Sequence, residues 1–161
     1  MDKKDLKFEN FLLDVNPAYH EFVMQVHQLL LENGCGQKLD MAKNGYVVSY
    51  SDQSKRAILN FVFRKGELVA RIYGDGVSQY NDFWETLPDG MIKAVAKAPV
   101  CRRLIDITKC NSTCRMGYEF ALKGVQHQKC QYSCFMFPVR DENNPFLSDF
   151  LKSELTVRKG K

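Results

Sequence analysis

Cysteine side chains carry the clearest chemical signal in this sequence of 161 residues. Five of the six cysteines lie close together, as Cys101 followed by two C-x3-C pairs, Cys110/Cys114 and Cys130/Cys134. Thiolates are preferred ligands of Zn²⁺, and structural zinc sites commonly use two closely spaced cysteine pairs. The pattern therefore favours a structural zinc site in this part of the chain.

Strand geometry limits which of these thiols can share one ion. Residues 126–137 alternate as a strand, which would separate Cys130 from Cys134 by about 13 Å. Two sulfurs on one zinc ion lie at most about 4.6 Å apart. A three-residue hairpin loop would place Cys114 opposite Cys134, with their Cβ atoms about 5 Å apart. We therefore expect these ligands: Cys101, Cys110, Cys114 and Cys134, with Cys130 replacing Cys134 if the loop is longer.

Two other interpretations of the thiols stay open. Free cysteine is among the most buried residue types, so Cys35 and one strand cysteine are expected in the core. Cys110 and Cys114 could instead perform thiol redox chemistry, because the neighbouring cations Lys109 and Arg115 favour a thiolate. A structural disulfide is disfavoured because the N-terminus has no apolar export signal.

Basic residues are concentrated around the same cysteines. The segment from Cys101 to Cys130 holds six cations against two acids, while the chain as a whole carries +4. A nucleic-acid-binding module is a third interpretation, but the rest of the chain lacks the broad basic surface that duplexes need. The excess could equally offset the net charge of about −2 on a zinc ion with four thiolates. The cations that would bind nucleic acid or offset the zinc–thiolate charge are Arg102, Arg103, Lys109 and Arg115.

Four strings of this region are KAPVCRRLID, KCNSTC, GYEFALKG and KCQYSCFMF. They resemble a group of uncharacterised small bacterial proteins that share a cysteine-bearing C-terminal hairpin. The resemblance covers residues 90–137. It implies a cytoplasmic bacterial origin and a compact α+β fold, and it assigns no catalytic residue.

The helices that position these side chains follow from hydrophobic periodicity. Apolar residues at three-and-four spacing predict a helix over residues 18–33, with Asn16 as its cap, Pro17 at its first position and Gly34 after its end. Further helices are predicted at residues 78–87, 91–97 and 145–155. The ends of the chain, residues 1–15 and 156–161, are expected to be a lead-in and a solvated basic tail.

Alternating residues predict the strands. A first strand covers residues 46–50, and a hairpin joins 56–64 to 67–73 through Lys65-Gly66, with Arg64 opposite Glu67. A second hairpin joins 118–122 to 126–137. The sequence thus predicts a single α+β domain over residues 1–161, with an antiparallel sheet of about five strands, two hairpins plus one strand, and about four helices.

The outer face of the first hairpin mixes polar and apolar side chains. Asn60, Arg71 and Tyr73 share this face, and the predicted helix that carries Trp84 could pack across it. An apolar cleft with a few polar groups is what a small ligand needs. These four residues are therefore the candidate ligand-binding residues, and a half-buried sheet covered by a helix is the alternative.

Catalytic motifs do not stand out. The sequence contains no G-x-S-x-G, no phosphate-binding loop and no H-E-x-x-H, and His20 and His27 are interpreted as helix-surface residues. No apolar run approaches the ~20 residues of a membrane span. We therefore expect a non-enzymatic cytoplasmic domain that binds a small molecule or a protein, without a nucleic-acid or membrane partner.

Overall fold

A computed structural model describes residues 6–77, 81–111, 117–122, 124–131 and 134–159, and all structural statements below concern these residues. A 3-10 turn at Pro17–Tyr19 precedes the second helix. The helices are α1 Phe8–Asp14, α2 His20–Glu32, α3 Asn81–Glu85, α4 Asp89–Lys97, α5 Arg102–Ile105 and α6 Asn144–Lys159. The strands are β1 Gly36–Ala42, β2 Gly45–Ser51, β3 Ala57–Arg64, β4 Glu67–Ile72, β5 Tyr118–Leu122, β6 Val125–Lys129 and β7 Met136–Pro138.

The predicted α+β fold is confirmed. Five strands form one antiparallel sheet in the order β1-β2-β3-β4-β7, and β5 pairs with β6 in a separate two-stranded sheet. None of the described helices is long and apolar enough to cross a lipid bilayer.

The β3–β4 hairpin has the predicted register. Leu59 pairs with Ile72 and Arg64 pairs with Glu67. Lys65 and Gly66 both have positive φ, +52° and +77°, as a two-residue hairpin turn requires. The Glu67 carboxylate, however, is bound by Arg140, whose Nη2 donates to Oε2 over 2.8 Å.

The second hairpin differs from its prediction in two ways. Its loop has two residues, because Leu122 pairs with Val125, so Tyr118 lies opposite Lys129 rather than Cys130. The predicted strand over residues 126–137 is divided, and its second part, β7, joins the main sheet with Phe137 opposite Ala70. Burial explains the division, since Phe135 and Phe137 are both in the core of the main sheet.

Strand β1 was not predicted from the sequence. Residues 36–42 pair with β2 along their whole length, from Gly36 opposite Ser51 to Ala42 opposite Gly45. This strand lies at the edge of the sheet, where four of its seven residues are exposed. An edge strand with polar side chains lacks the clear apolar alternation that reveals a strand in a sequence.

Both ends of the chain differ from the expected lead-in and solvated tail. Phe8–Asp14 is helical, and its Phe11 is buried with its ring centroid 6.0 Å from Phe61 and 5.9 Å from Phe63. Helix α6 continues to Lys159, and the side chain of Arg158 is only 7% exposed. The described residues at the two ends, 6–14 and 156–159, thus include side chains that contact the rest of the structure.

Candidate functional site

A short β-bridge holds two of the cysteines together. Val100 lies opposite Lys129, with Cys101 N donating to Gln128 O and Cys130 N donating to Pro99 O, both over 2.9 Å. In this pairing Cys130 is the diagonal neighbour of Cys101 on the same face, a position at which the Cα atoms lie about 7–8 Å apart. The bridge therefore brings together two thiols that are far apart in sequence.

The sulfur of Cys101 has a backbone hydrogen-bond donor. Gly117 N donates to Cys101 Sγ over 3.2 Å. A Cβ atom at Gly117 would lie 2.1 Å from Lys129 O and 2.8 Å from Cys101 Cβ, so only glycine fits there. An N–H aimed at sulfur is complementary to the negative charge of a metal-bound thiolate.

Three cysteines line one cavity of about 200 Å³, the thiol pocket. Its lining residues are Pro99, Val100, Cys101, Arg102, Arg103, Cys110, Gly117, Cys130 and Gln131. Cys101 is buried, Cys130 is half-buried and Cys110 is exposed, and all three are free thiols. Among the described residues, no three Cys, His, Asp or Glu side chains lie close enough to hold a metal ion. The three sulfurs therefore surround the pocket without converging on one point.

The structure reverses the expected placement of Cys130 and Cys134. Cys134 N donates to Cys130 O over 2.9 Å. A turn therefore replaces the continuous strand that would have separated these two cysteines by about 13 Å. Cys134 is buried in the core, and burial raises its pKa far above the usual range of a thiol. Cys130 lines the thiol pocket instead. Cys114, the remaining expected ligand, lies outside the described residues.

The basic residues of this region have different surroundings. Arg102 and Arg103 line the thiol pocket, and Lys109 is exposed beside Cys110. Lys129 donates from Nζ to Ala96 O over 3.0 Å and to Ala98 O over 2.9 Å at the end of α4. Arg115 lies outside the described residues. Among the described cations of this region, the two arginines of α5 are thus the ones that line the pocket.

The proposed ligand cleft is only partly assembled. Asn60 lies opposite Arg71 and donates from Nδ2 to Tyr73 Oη over 3.0 Å, so these three residues do share a face. Trp84 does not join them. Its ring stacks on Phe120 and Phe135 in the core, and its Nε1 donates to Val77 O over 3.0 Å. Trp84, the aromatic residue expected to line the cleft, is therefore a core residue.

The interpretation of His27 as a helix-surface residue is wrong. Its Nδ1 lies 2.8 Å from Tyr50 Oη and 3.2 Å from Gln37 Nε2, and its ring stacks on Phe8 at 4.1 Å. Burial lowers the pKa of His27, and the nearby charge of Glu9 partly opposes the effect. Sequence periodicity could not reveal this cluster because its members come from four different elements.

Helix α6 holds a buried charge cluster that was not predicted from the sequence either. Glu154 is fully buried, and its carboxylate accepts from Asp75 N over 2.8 Å and from Gly76 N over 3.1 Å. Arg158 Nε donates to the same carboxylate over 3.0 Å, and Arg158 Nη1 donates to Asp52 Oδ2 over 3.0 Å. Because these groups bind one another, the cluster anchors α6 to the loops that carry Asp52 and Asp75.

Comparison with known protein families, curated proteins and solved structures returned no match for this chain. The site must therefore be interpreted from its own chemistry.

Proposed function

We propose that the protein is a non-enzymatic binding domain in which the thiol pocket holds a structural Zn²⁺ ion. The ligands are Cys101, Cys110 and Cys130, with Cys114 as the fourth. The observation that carries this proposal is that three free thiols line one small cavity, one of them with a backbone N–H donor on its sulfur. Soft thiolate sets of this kind select zinc among the common divalent ions.

Of the three described thiols, two are held in place by backbone pairing and one is not. Cys101 and Cys130 sit on the β-bridge, whereas Cys110 is exposed beyond α5. Since sulfurs on one zinc ion lie within about 4.6 Å of each other, the Cys110 sulfur must move closer to those of Cys101 and Cys130 for ligation. Arg102 and Arg103 at the pocket wall would offset the negative charge of the thiolates.

The need for a metal follows from the weak packing of this region. Helix α5 has only four residues and none of them is buried, while Ile105 and Ile107 are 69% and 63% exposed. Structural metals replace a hydrophobic core where a segment cannot build one. The ordered segment would then bind a small molecule or protein, in a reducing compartment such as a bacterial cytoplasm, where the thiols stay free.

The test is zinc content and affinity in the native chain and its single cysteine variants. We expect about one zinc per chain, lost by Cys101→Ser, Cys110→Ser, Cys114→Ser and Cys130→Ser. Cys35→Ser is the matched control, because Cys35 lies outside the pocket at the end of α2 and should leave zinc binding unchanged. A native protein without zinc affinity, or equal loss in the Cys35 variant, would overturn the proposal.

Thiol redox chemistry is the second candidate, favoured by the exposure of Cys110. In this case Cys110 and Cys114 would pass two electrons and two protons to a small-molecule disulfide, forming one protein disulfide and two small-molecule thiols. Titration of thiols after treatment with oxidised glutathione separates the two candidates. A metal-free chain that loses two thiols supports redox chemistry, and retention of all thiols with zinc bound supports the metal site.

A further inference from the structure

Strand β1 is the longer edge of the five-stranded sheet, and among the described residues no strand other than β2 pairs with it. The other edge, β7, has only three residues and ends in Pro138, which cannot donate a hydrogen bond to a neighbouring strand. Every second residue of an antiparallel strand directs its N–H and C=O away from its partner. The pairing with β2, continued from the turn of β3–β4, directs those of Gln37, Leu39 and Met41 outward.

We propose that two copies of this chain associate by antiparallel pairing of their β1 strands about a two-fold axis at Leu39. The two sheets then form one continuous ten-stranded sheet. Leu39 pairs with Leu39 of the second copy, and Gln37 pairs with Met41 on either side. The outward groups of each strand satisfy those of the other, which gives about six backbone hydrogen bonds.

Charge is what selects a second copy and this register. Lys38 and Asp40 flank the axis on the outer face, where they form an exposed ion pair with Lys38 Nζ 3.6 Å from Asp40 Oδ2 and side chains 76% and 45% exposed. The two-fold axis places Lys38 of each copy opposite Asp40 of the other, at the positions where paired strands are closest. A lysine alone on an edge strand discourages pairing. The acid two residues further along makes this strand complementary to itself.

Apolar side chains gather along the same edge. Met41 of β1 is 45% exposed, and Met24 and Leu31 of α2 are 44% and 43% exposed. Met24 and Leu31 stand three residues before and four after His27, whose ring contacts Gln37 of β1, so they belong to the β1 side of α2. Pairing of the edges would bring these side chains toward their counterparts in the second copy. An isologous contact of this kind closes at two subunits.

The test is sedimentation equilibrium of the full chain from about 1 to 100 µM. We expect a dimer for the native chain. Lys38→Glu and Asp40→Lys each place like charges opposite one another and should raise the dissociation constant at least about tenfold. The double variant Lys38→Glu/Asp40→Lys restores the complementary pairs and should dimerise again. Lys152→Glu, the same change of charge at an exposed position of α6, is the control and should remain dimeric.

Each other outcome contradicts the proposal. A native chain that is monomeric throughout the range has no β1 contact, and a dimer unaffected by both single variants uses a different surface. Sedimentation with and without EDTA keeps this result separate from the zinc proposal. Strand β1 contains no pocket cysteine, so the dimer should persist when the thiol pocket is empty, and dissociation on chelation would overturn the β1 contact while supporting the metal site.

Discussion

Glu154 and Arg158 form a buried ion pair one turn apart on α6, with Arg158 Nε 3.0 Å from Glu154 Oε2 and both side chains less than a tenth exposed. The carboxylate also accepts from two backbone N–H groups of the loop after β4, and the guanidinium reaches Asp52 in the loop after β2. This pair therefore ties the C-terminal helix to two separate loops of the sheet.

Glu154→Gln should destabilise the protein by about 3 kcal/mol, because it removes one of the two carboxylates that compensate the buried Arg158 guanidinium and weakens two hydrogen bonds to backbone. The measurement is the free energy of unfolding in urea at pH 7. Glu67→Gln provides the control. It breaks the pair with Arg140, in which both side chains are well exposed, and should cost no more than about 1 kcal/mol. Equal effects of the two changes would show that the buried Glu154–Arg158 pair contributes no more stability than the exposed Glu67–Arg140 pair.

Phe11→Ala should destabilise the protein by about 3–5 kcal/mol, because Phe11 is completely buried against Phe61 and Phe63. Leu13→Ala on the same helix is the matched control, since Leu13 is 78% exposed and its loss should change the free energy of unfolding by less than about 0.5 kcal/mol. Urea unfolding measures both. A small effect of Phe11→Ala would mean that α1 contributes nothing to the core.

Acid should weaken the domain through His27. Burial lowers the pKa of His27 in the folded state, so the unfolded chain takes up its proton first as the pH falls. The stability that His27 contributes is thus complete above about pH 6.5 and declines from there down to its folded pKa. Unfolding free energies measured from pH 8 to pH 5 should fall, and the fall should be smaller in His27→Gln.

His127 is a second histidine that contributes to the pH dependence of stability. Burial and the charge of Lys129 lower its pKa too, so it adds a fall of the same sign. His127→Gln should therefore reduce the fall in unfolding free energy between pH 8 and pH 5 but keep the part that comes from His27. The double variant His27→Gln/His127→Gln should show a smaller fall than either single variant. A slope unchanged in His27→Gln would show that the His27 cluster does not titrate with folding.

Gly117→Ala should disrupt the thiol pocket, because the added Cβ would overlap Lys129 O and crowd Cys101. We expect loss of zinc affinity together with a drop in stability of about 1–3 kcal/mol. Gly90→Ala near the start of α4 is the control. No atom lies within 4 Å of the Cβ it would add, so it should preserve zinc binding and stabilise the protein by up to about 1 kcal/mol through helix propensity. Zinc binding that survives Gly117→Ala would count against Cys101 as a ligand.

Local patterns were enough to predict α2 and the β3–β4 hairpin. In the hairpin, the Lys65-Gly66 turn, the alternation of apolar residues and the Arg64–Glu67 pair all specify one register, and all lie within a few residues of one another. In α2, the apolar spacing likewise depends only on neighbours in the sequence, although Asn16, the expected cap of this helix, caps the 3-10 turn Pro17–Tyr19 before it. A fold class follows from such elements because their apolar faces must be buried together.

The environments of Cys130 and Cys134 were decided by tertiary structure. The cysteine spacing identified the region, but a loop shorter by one residue shifts every pairing of β5 with β6, and the burial of Phe135 draws β7 to the main sheet. These two changes send Cys134 to the core and Cys130 to the thiol pocket. The contacts of Glu154, of His27 and of strand β1 could not be predicted from the sequence for the same reason. Contacts between distant parts of a chain depend on which surfaces are buried together, and that competition leaves no periodic trace in the residues themselves.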